Sequence, residues 1–239
     1  MSLVVLVRHG RSTSNTAGTL SGRSPGITLD ARGESQAMAV GERLRGVPLA
    51  AAVRSPMLRC EQTLGLALSS AGITPPVHVD DRLTECDYGR WTGRSLAELT
   101  KESLWQQVQE HPSMVVFPEG ESMTAMAGRT VAAVQDWNAR LAVPQGEPEP
   151  VWLLVSHGDP IKAVLSHALG QQLDDFQRIV VDPASISLVR FPPPGGQGMP
   201  TVIAMNTSAG QITDRLAGAG HGPQLGGGLG SQADNGNTT

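Results

Sequence analysis

Two short stretches of the sequence place a histidine and a glycine directly after an apolar run. Arg8-His9-Gly10 follows residues 3–7, and His157-Gly158 follows residues 151–155. In open α/β sheets, ligands bind at the carboxyl ends of the strands, so the two imidazoles would meet at one spot if the two strands are neighbours. A surface Arg-His pair or a helix-capping histidine would explain either stretch alone. Their recurrence favours a shared site.

A third stretch, residues 55–63, also follows a short apolar run and is predicted to open a helix. Arg59 lies in the first turn of that helix. A cation opposes the helix dipole at this end, so an anionic partner is expected. A phosphate would be held through the guanidinium fork. An ion pair between Arg59 and Glu61 is the alternative.

The loop at residues 83–93 supplies two acidic side chains, and two glycines follow them. A carboxylic acid close to a leaving oxygen can donate a proton to it. Glu85 and Asp87 are both candidates for this role, because residues two apart point to the same side of an extended segment. The alternative is that both are solvated loop acids.

Taken in order, these segments resemble the histidine phosphatase superfamily, also called phosphoglycerate mutase-like, from about residue 3 to residue 206. The matching segments are Arg8-His9-Gly10, Asn15, residues 55–63 around Arg59, Leu83-Glu85-Tyr88-Gly89-Trp91-Gly93, Gly120-Glu121-Ser122 and Ser156-His157-Gly158. Each motif is weak by itself, and the ordered set is specific.

The resemblance implies a role for each candidate residue. It makes His9 the nucleophile that becomes phosphorylated and Glu85 the proton donor. The phosphate pocket would comprise Arg8, Arg59 and His157, with Asn15 as a further phosphate contact. A nucleophilic imidazole divides hydrolysis into two displacements, while the arginines and a second imidazolium stabilise the phosphoryl charge. The family needs no metal ion, and no cofactor is predicted.

The chain departs from the family's cofactor-dependent mutases at two positions. Arg11 follows Gly10, and Cys86-Asp87 follow the predicted acid, so the basic residues that hold a glycerate carboxylate in those mutases are missing. These departures favour a phosphatase acting on a small phosphate monoester over a phosphomutase. A non-catalytic phospho-ligand binder is a third alternative, although binding alone requires neither a nucleophile nor an acid. Arg11 either contacts a second anionic group or is an exposed arginine without a role.

The alternation of apolar runs and helical patterns predicts the scaffold of this site. Strands are expected over residues 3–7, 50–54, 151–155, 185–191 and 201–205, with helices between them. This is typical of a three-layer α/β/α sandwich with a mostly parallel central sheet. Residues 92–141 are predicted to be a small helical insertion packed over one edge of the sheet. Residues 1–216 are predicted to form one domain, and the Gly-rich residues 217–239 a disordered tail.

The composition of the chain limits the classes of binding partner and the cellular compartment that we expect. The net charge is −4 and the pI is about 5.8, which argues against nucleic acid and membrane surfaces as partners and for a small phosphorylated metabolite. Cys60 and Cys86 are too few for a disulfide framework. With no signal peptide recognised, we expect a cytoplasmic protein. The resemblance leaves monomer and homodimer both open.

Overall fold

Six strands form one sheet in the computed structural model, which describes residues 1–144, 146–193 and 195–209 together with Leu225. The strands are β1 (Ser2–Arg8), β2 (Leu49–Arg54), β3 (Val77–Val79), β4 (Val151–Ser156), β5 (Ile186–Phe191) and β6 (Thr201–Thr207). Their order across the sheet is β3-β2-β4-β1-β5-β6. β5 runs antiparallel to both of its neighbours, and the pairings among β1 to β4 are parallel. The prediction of a mostly parallel sheet is therefore confirmed.

Helices connect the strands and cover the sheet. They are α1 (Thr13–Ala17), α2 (Ala31–Leu44), α3 (Leu58–Ala71), α4 (Leu96–Leu99), α5 (Ser103–Glu110), α6 (Met123–Arg140) and α7 (Gly158–Ala168). Short 3-10 turns occur at Asp81–Leu83, Gly89–Trp91, Pro112–Met114 and Leu173–Arg178. α3 ends where Gly72 takes a left-handed conformation with φ of 68°, which glycine adopts without a steric penalty.

The uninterrupted apolar run of β1 is explained by burial on both faces of the sheet. Val4 and Leu6 belong to a core with residues of α6 and α7. Val5 and Val7 point to the opposite side, into a core with residues of α2 and α3. Alternate side chains of a strand face opposite sides, so a strand covered on both faces is apolar throughout. The three-layer α/β/α architecture follows from these two cores.

The helical insertion differs from the prediction in its packing. Val134 and Trp137, in the second half of α6, join the sheet-face core rather than covering a sheet edge. Met123 and Met126, in the first half, lie in a third core with the aromatic side chains of Tyr88, Trp91 and Phe117. The sequence pattern identified the buried stripe of α6 but not its partners, because periodicity reports which face is apolar and not what covers it.

Two further points concern the short strand β3 and the predicted disordered tail. β3 was not predicted, since it is only three residues long and its side chains are exposed. The predicted disordered tail lies outside the described residues except for Leu225, which is buried in the third core. Among the described residues, none of the helices is long and apolar enough to cross a membrane.

Candidate active site

The two His-Gly stretches meet because β1 and β4 are parallel neighbours. Their register pairs Arg8 with Ser156, the last residues of the two strands. The following residues, His9 and His157, therefore leave the same edge of the sheet side by side. Their ring centroids lie 5.2 Å apart with the planes at 64°. The structure thus brings together the two histidines that the sequence placed 148 positions apart.

Hydrogen bonds fix the orientation of the His9 ring. Nδ1 lies 2.7 Å from the carbonyl oxygen of Gly10 and donates its proton to it. Nε2 then carries a lone pair, and the Nε–H of Arg59 lies 3.3 Å from it. Burial, followed by the positive charges of Arg59 and Arg8, lowers the pKa of His9 well below its ordinary value. The ring is therefore neutral at physiological pH, with Nε2 available as a nucleophile.

Two buried arginines flank this imidazole. Arg59, in the first turn of α3, donates from Nη2 to the carbonyl of Gly22 at 2.8 Å. Its Nη1 is buried and has no hydrogen-bond acceptor among the described residues. Arg8 donates from Nη1 to the carbonyl of Val181 at 2.7 Å. A buried guanidinium with an unsatisfied N–H is costly unless an anion accepts from it, so Arg59 marks the position where an anionic ligand is expected.

His157 is held differently from His9. Its Nε2 lies 2.8 Å from the hydroxyl of Ser55 and 3.6 Å from the sulfur of Cys60. Burial, followed by the charges of Arg59 and His9, lowers its pKa well below the ordinary value. An imidazolium was expected at this position, but burial and the neighbouring positive charges keep His157 neutral in this structure. A bound phosphate dianion would favour the charged form.

Glu85 lies in the wall of a pocket that His9 also lines. Its Oε1 accepts from the backbone N–H of Cys86 at 2.9 Å. Burial, followed by the negative charge of Asp159, raises the pKa of Glu85 to about 7. A carboxyl group with this pKa is protonated in a large fraction of molecules near neutral pH, as a general acid requires.

Asp87, the competing acid, occupies a different environment. Its carboxylate accepts from the backbone N–H of Gly89 at 3.0 Å and lies 3.9 Å from Arg23. Its side chain is 41% exposed and is not part of the pocket wall. Asp87 therefore stabilises a turn, and the geometry favours Glu85 as the acid.

Asn15 also lines the pocket, and the oxygen of its side-chain amide already accepts hydrogen bonds. The amide oxygen accepts from the backbone N–H of Ser12 at 3.0 Å and from its hydroxyl at 2.9 Å, which closes a capping box at the start of α1. The amide oxygen is thus occupied, and the NH₂ group is the part of Asn15 that suits an anionic ligand.

Polar and apolar residues together form the rest of the pocket wall. Thr19, Ser21 and Tyr88 line it beside Leu20, Leu96 and Leu225, and lysine and arginine are absent from the part of its wall that the structure describes. Arg11, considered above as a contact for a second anionic group, pairs with Asp30 at 2.7 Å. Within the described part of the chain, no group of three His, Cys, Asp or Glu side chains is positioned to hold a metal ion.

The sequence analysis gave no role to the residues that hold the loop of Glu85. Arg23 and Arg129 both donate to the backbone carbonyl of Glu85, each at 3.0 Å. Glu121 pairs with both arginines and accepts from the backbone N–H of Asp87. Glu121 was part of the matched Gly120-Glu121-Ser122 segment, so that motif was the available signal. Nothing in the sequence connects it to Arg23, which is 98 positions away.

Gly10 is required by the packing of α2 against the loop that follows β1. In the structure, a Cβ at this position would lie 2.5 Å from the backbone oxygen of Gly33, in the first turn of α2. Gly33 is equally constrained, since its own Cβ would lie 2.0 Å from the backbone oxygen of Arg11. The two glycines therefore allow α2 to pack closely against the catalytic loop.

Comparisons with known proteins agree with this geometry. The sequence pattern of the histidine phosphatase superfamily (branch 1) matches residues 4–200. A relative from Salmonella arizonae, named probable phosphoglycerate mutase GpmB, is 33% identical over 193 residues, which is 80% of this chain and 86% of the relative.

Solved structures share the fold at lower sequence identity. YhfR of Bacillus stearothermophilus is 23% identical with a TM-score of 0.76, and the match covers 87% of this chain and 98% of that one. A mycobacterial glucosyl-3-phosphoglycerate phosphatase is 23% identical with a TM-score of 0.77, covering 87% and 100%. With its two strand-end histidines side by side and the superfamily pattern spanning most of its length, this chain belongs to the histidine phosphatase superfamily.

Proposed function

We propose that this protein is a phosphatase that hydrolyses a small phosphate monoester through a phosphohistidine at His9, without a metal ion or other cofactor. The observation that carries the proposal is the orientation of the His9 ring. Its Nδ1 proton is bound by the Gly10 carbonyl, and its Nε2 lone pair lies in a buried pocket beside Arg59. An imidazole held in this tautomer is prepared to attack an electrophile at Nε2.

The first displacement transfers the phosphoryl group to His9. Nε2 attacks phosphorus, and the bond from phosphorus to the ester oxygen breaks. Glu85 gives its proton to the departing oxygen, so an alcohol leaves. Arg59 and Arg8 stabilise the charge on the phosphoryl oxygens, and the unsatisfied Nη1 of Arg59 supports this assignment.

The second displacement returns the enzyme to its starting state. Glu85 is now a carboxylate and accepts a proton from water, whose oxygen attacks phosphorus. The bond between phosphorus and Nε2 breaks, which releases inorganic phosphate and restores neutral His9. His157 donates to the phosphoryl group in both steps, and its bond to Ser55 holds its ring in place.

A phosphomutase is the alternative, and the curated relatives named probable phosphoglycerate mutase give it support. A phosphoglycerate carries a carboxylate that needs a cationic partner. Arg8 and Arg59 are assigned to the phosphoryl group, the described pocket wall adds no further lysine or arginine, and Arg11 is paired with Asp30. These observations favour water over a second substrate hydroxyl as the acceptor of the phosphoryl group.

The test is phosphate release from a panel of alkyl, aryl and sugar phosphates and both phosphoglycerates, measured with and without EDTA. We expect release that EDTA does not change, and an acid-labile phosphoenzyme after brief exposure to labelled substrate. Interconversion of phosphoglycerates by enzyme primed with 2,3-bisphosphoglycerate, faster than phosphate release, would instead identify a mutase. Loss of activity with EDTA, restored by a metal ion, would contradict the metal-independent mechanism.

A further inference from the structure

A buried polar cluster lies beside the proposed proton donor and has no role in the mechanism above. The hydroxyl of Tyr88 donates to Oδ2 of Asp159 at 2.7 Å. The ammonium group of Lys162 lies 3.7 Å from Oδ1 of Asp159 and donates to Gln177 at 3.0 Å. Tyr88, Asp159, Lys162 and Gln177 are all at least 95% buried.

This cluster is connected to the active site at two points. Asp159 lies in the first turn of α7, two residues after His157, where the helix dipole favours a negative charge. Tyr88 belongs to the same loop as Glu85, and both residues line the pocket. Asp159 is therefore held rigidly on the side of the pocket that carries the acid, by α7 and by Tyr88.

A buried ion pair at this position needs an explanation beyond stability. Burying two charges is costly, and replacing such a pair with apolar side chains of similar volume is often neutral or stabilising. Asp159 and Lys162 lie in a helix whose other buried residues are mainly apolar, so apolar side chains would have been accommodated. The retained carboxylate is most simply explained by its effect on a neighbouring group.

Glu85 is the neighbouring group that requires such an effect. The phosphate site places Arg8 and Arg59 near Glu85, and the positive charges of both favour its ionised form, as does the N–H of Cys86. An ionised Glu85 cannot donate a proton to a leaving group. After burial, the charge of Asp159 is the largest influence that raises the pKa of Glu85.

We propose that Asp159, fixed by Tyr88 and Lys162, is a positioning residue that keeps Glu85 protonated beside the phosphate-binding arginines. The inference rests on the proposed function, because it assumes that Glu85 acts as the acid. A negative charge held nearby disfavours a second negative charge on Glu85, while Lys162 offsets the cost of burying Asp159. The same arrangement leaves the arginines free to bind phosphate.

The test is the pH dependence of kcat/KM for an alkyl phosphate in the Asp159→Asn variant. Asparagine keeps an oxygen that accepts from Tyr88 but carries no charge. The pKa of Glu85 should then fall, because burial remains but the charge of Asp159 no longer opposes Arg8 and Arg59. We expect the alkaline limb to move to lower pH by on the order of one unit, since nearby charges shift pKa values by about 1–3 units. Arg23 and Arg129, which hold the backbone carbonyl of Glu85, are unchanged in this variant.

Three further variants separate this effect from a structural one. Lys162→Gln removes the positive charge paired with Asp159 and should move the limb, to higher pH when Asp159 stays ionised and to lower pH when the loss of its partner protonates it. Asp182→Asn removes a half-buried carboxylate whose charge acts on Arg8, and should leave the limb in place. In a Glu85→Gln background, where the alkaline limb is absent, Asp159→Asn should change kcat/KM by the same factor at every pH.

Several outcomes would overturn the inference. One is a lower unfolding temperature in Asp159→Asn with an unmoved limb, which would make the cluster structural. Another is a pH-dependent effect of Asp159→Asn in the Glu85→Gln background, which would mean that Asp159 acts on a different group. If Asp159→Asn does not fold, an unmoved limb in Lys162→Gln is decisive against it. Failure of the proposed function is distinguishable, since the wild-type protein would then release no phosphate and carry no label on His9.

Discussion

The first strand end, Arg8-His9-Gly10, and the second strand end, Ser156-His157-Gly158, have nearly the same sequence pattern and the same place in the sheet. Their surroundings differ. At the first strand end, the His9 ring is bound through one nitrogen to a backbone carbonyl and presents the other to the pocket. At the second, the imidazole is completely buried and contacts Ser55 and Cys60.

The difference shows how one pattern supports two chemical roles. A backbone carbonyl accepts only the Nδ1 proton of His9, so it selects a single tautomer and leaves Nε2 unprotonated. The hydroxyl of Ser55 either donates or accepts, so it orients His157 without specifying its protonation state. We therefore assign nucleophilic attack to the first strand end and charge stabilisation to the second.

The largest expected effect is the loss of the nucleophile. The His9→Ala variant should lose about 10⁴-fold or more of kcat, as is typical when an enzyme's nucleophile is removed, and no labelled phosphoenzyme should form. Circular dichroism should show that the fold is retained. His111→Ala, a change at an exposed histidine, is the matched control and should behave as the wild-type protein. Label recovered on His157, Ser156 or Cys86 would reverse or remove the assignment.

The second prediction tests which carboxylic acid protonates the leaving group when His9 attacks the phosphate ester. Glu85→Gln should slow alkyl phosphates by about 10²–10⁴-fold and p-nitrophenyl phosphate much less, because a good leaving group needs little protonation. Glu85 has a pKa of about 7, so the acid is present below pH 7 and is lost as the pH rises through it. The alkaline limb of kcat/KM should therefore disappear in Glu85→Gln, while ionisation of the substrate affects both enzymes equally.

The matched control for the acid is Asp87→Asn. We expect this variant to lose little activity on either ester, since Asp87 stabilises a turn. A leaving-group-dependent loss in Asp87→Asn, absent from Glu85→Gln, would exchange the two roles.

A smaller effect is expected at the second strand end. His157→Ala should lower kcat by about 10²–10³-fold, as removal of one donor to a developing charge does. Brief labelling should still place phosphate on His9, although more slowly. If His157→Ala and His9→Ala both abolish labelling, the division of roles between the two strand ends is wrong.

The smallest effect concerns the orientation of His157. Ser55→Ala removes the hydroxyl that lies 2.8 Å from Nε2, and we expect a loss of about fivefold, since a hydrogen bond contributes roughly 1 kcal/mol. Ser35→Ala, which changes an exposed serine of α2, should have no effect. A loss in Ser55→Ala as large as that in His157→Ala would mean that the hydroxyl itself contacts the phosphoryl group.

Much of the scaffold could be predicted because its signals are local. The uninterrupted apolar runs of β1 and β4 require burial on both faces, which indicates a sheet covered by helices. The short, exposed strand β3 carries no such signal and was missed. The packing of α6 was misjudged, because Trp137 looks the same in a sequence whether a sheet face or another helix covers it.

The candidate site was predictable to the extent that ordered motifs identify it. His9, Arg59, Glu85 and His157 follow from their positions after strands or within matched segments. The hydrogen bonds from Arg23 and Arg129 to the Glu85 carbonyl were not predictable. Every residue has a backbone carbonyl, so the sequence does not show which one accepts from an arginine. The sequence carries no signal for the role proposed for Asp159 for a related reason, because its partner Tyr88 is 71 positions away.

The sequence by itself determined which side chains carry chemistry and that two of them end apolar strands. Only the tertiary structure decided that these strands are parallel neighbours, and hence that His9 and His157 lie 5.2 Å apart. The fold also decided the surroundings that suit the two rings to their proposed roles. The tautomer of His9 is set by its neighbour Gly10, but the pKa of each ring depends on burial and on Arg59, which a distant segment brings close in space.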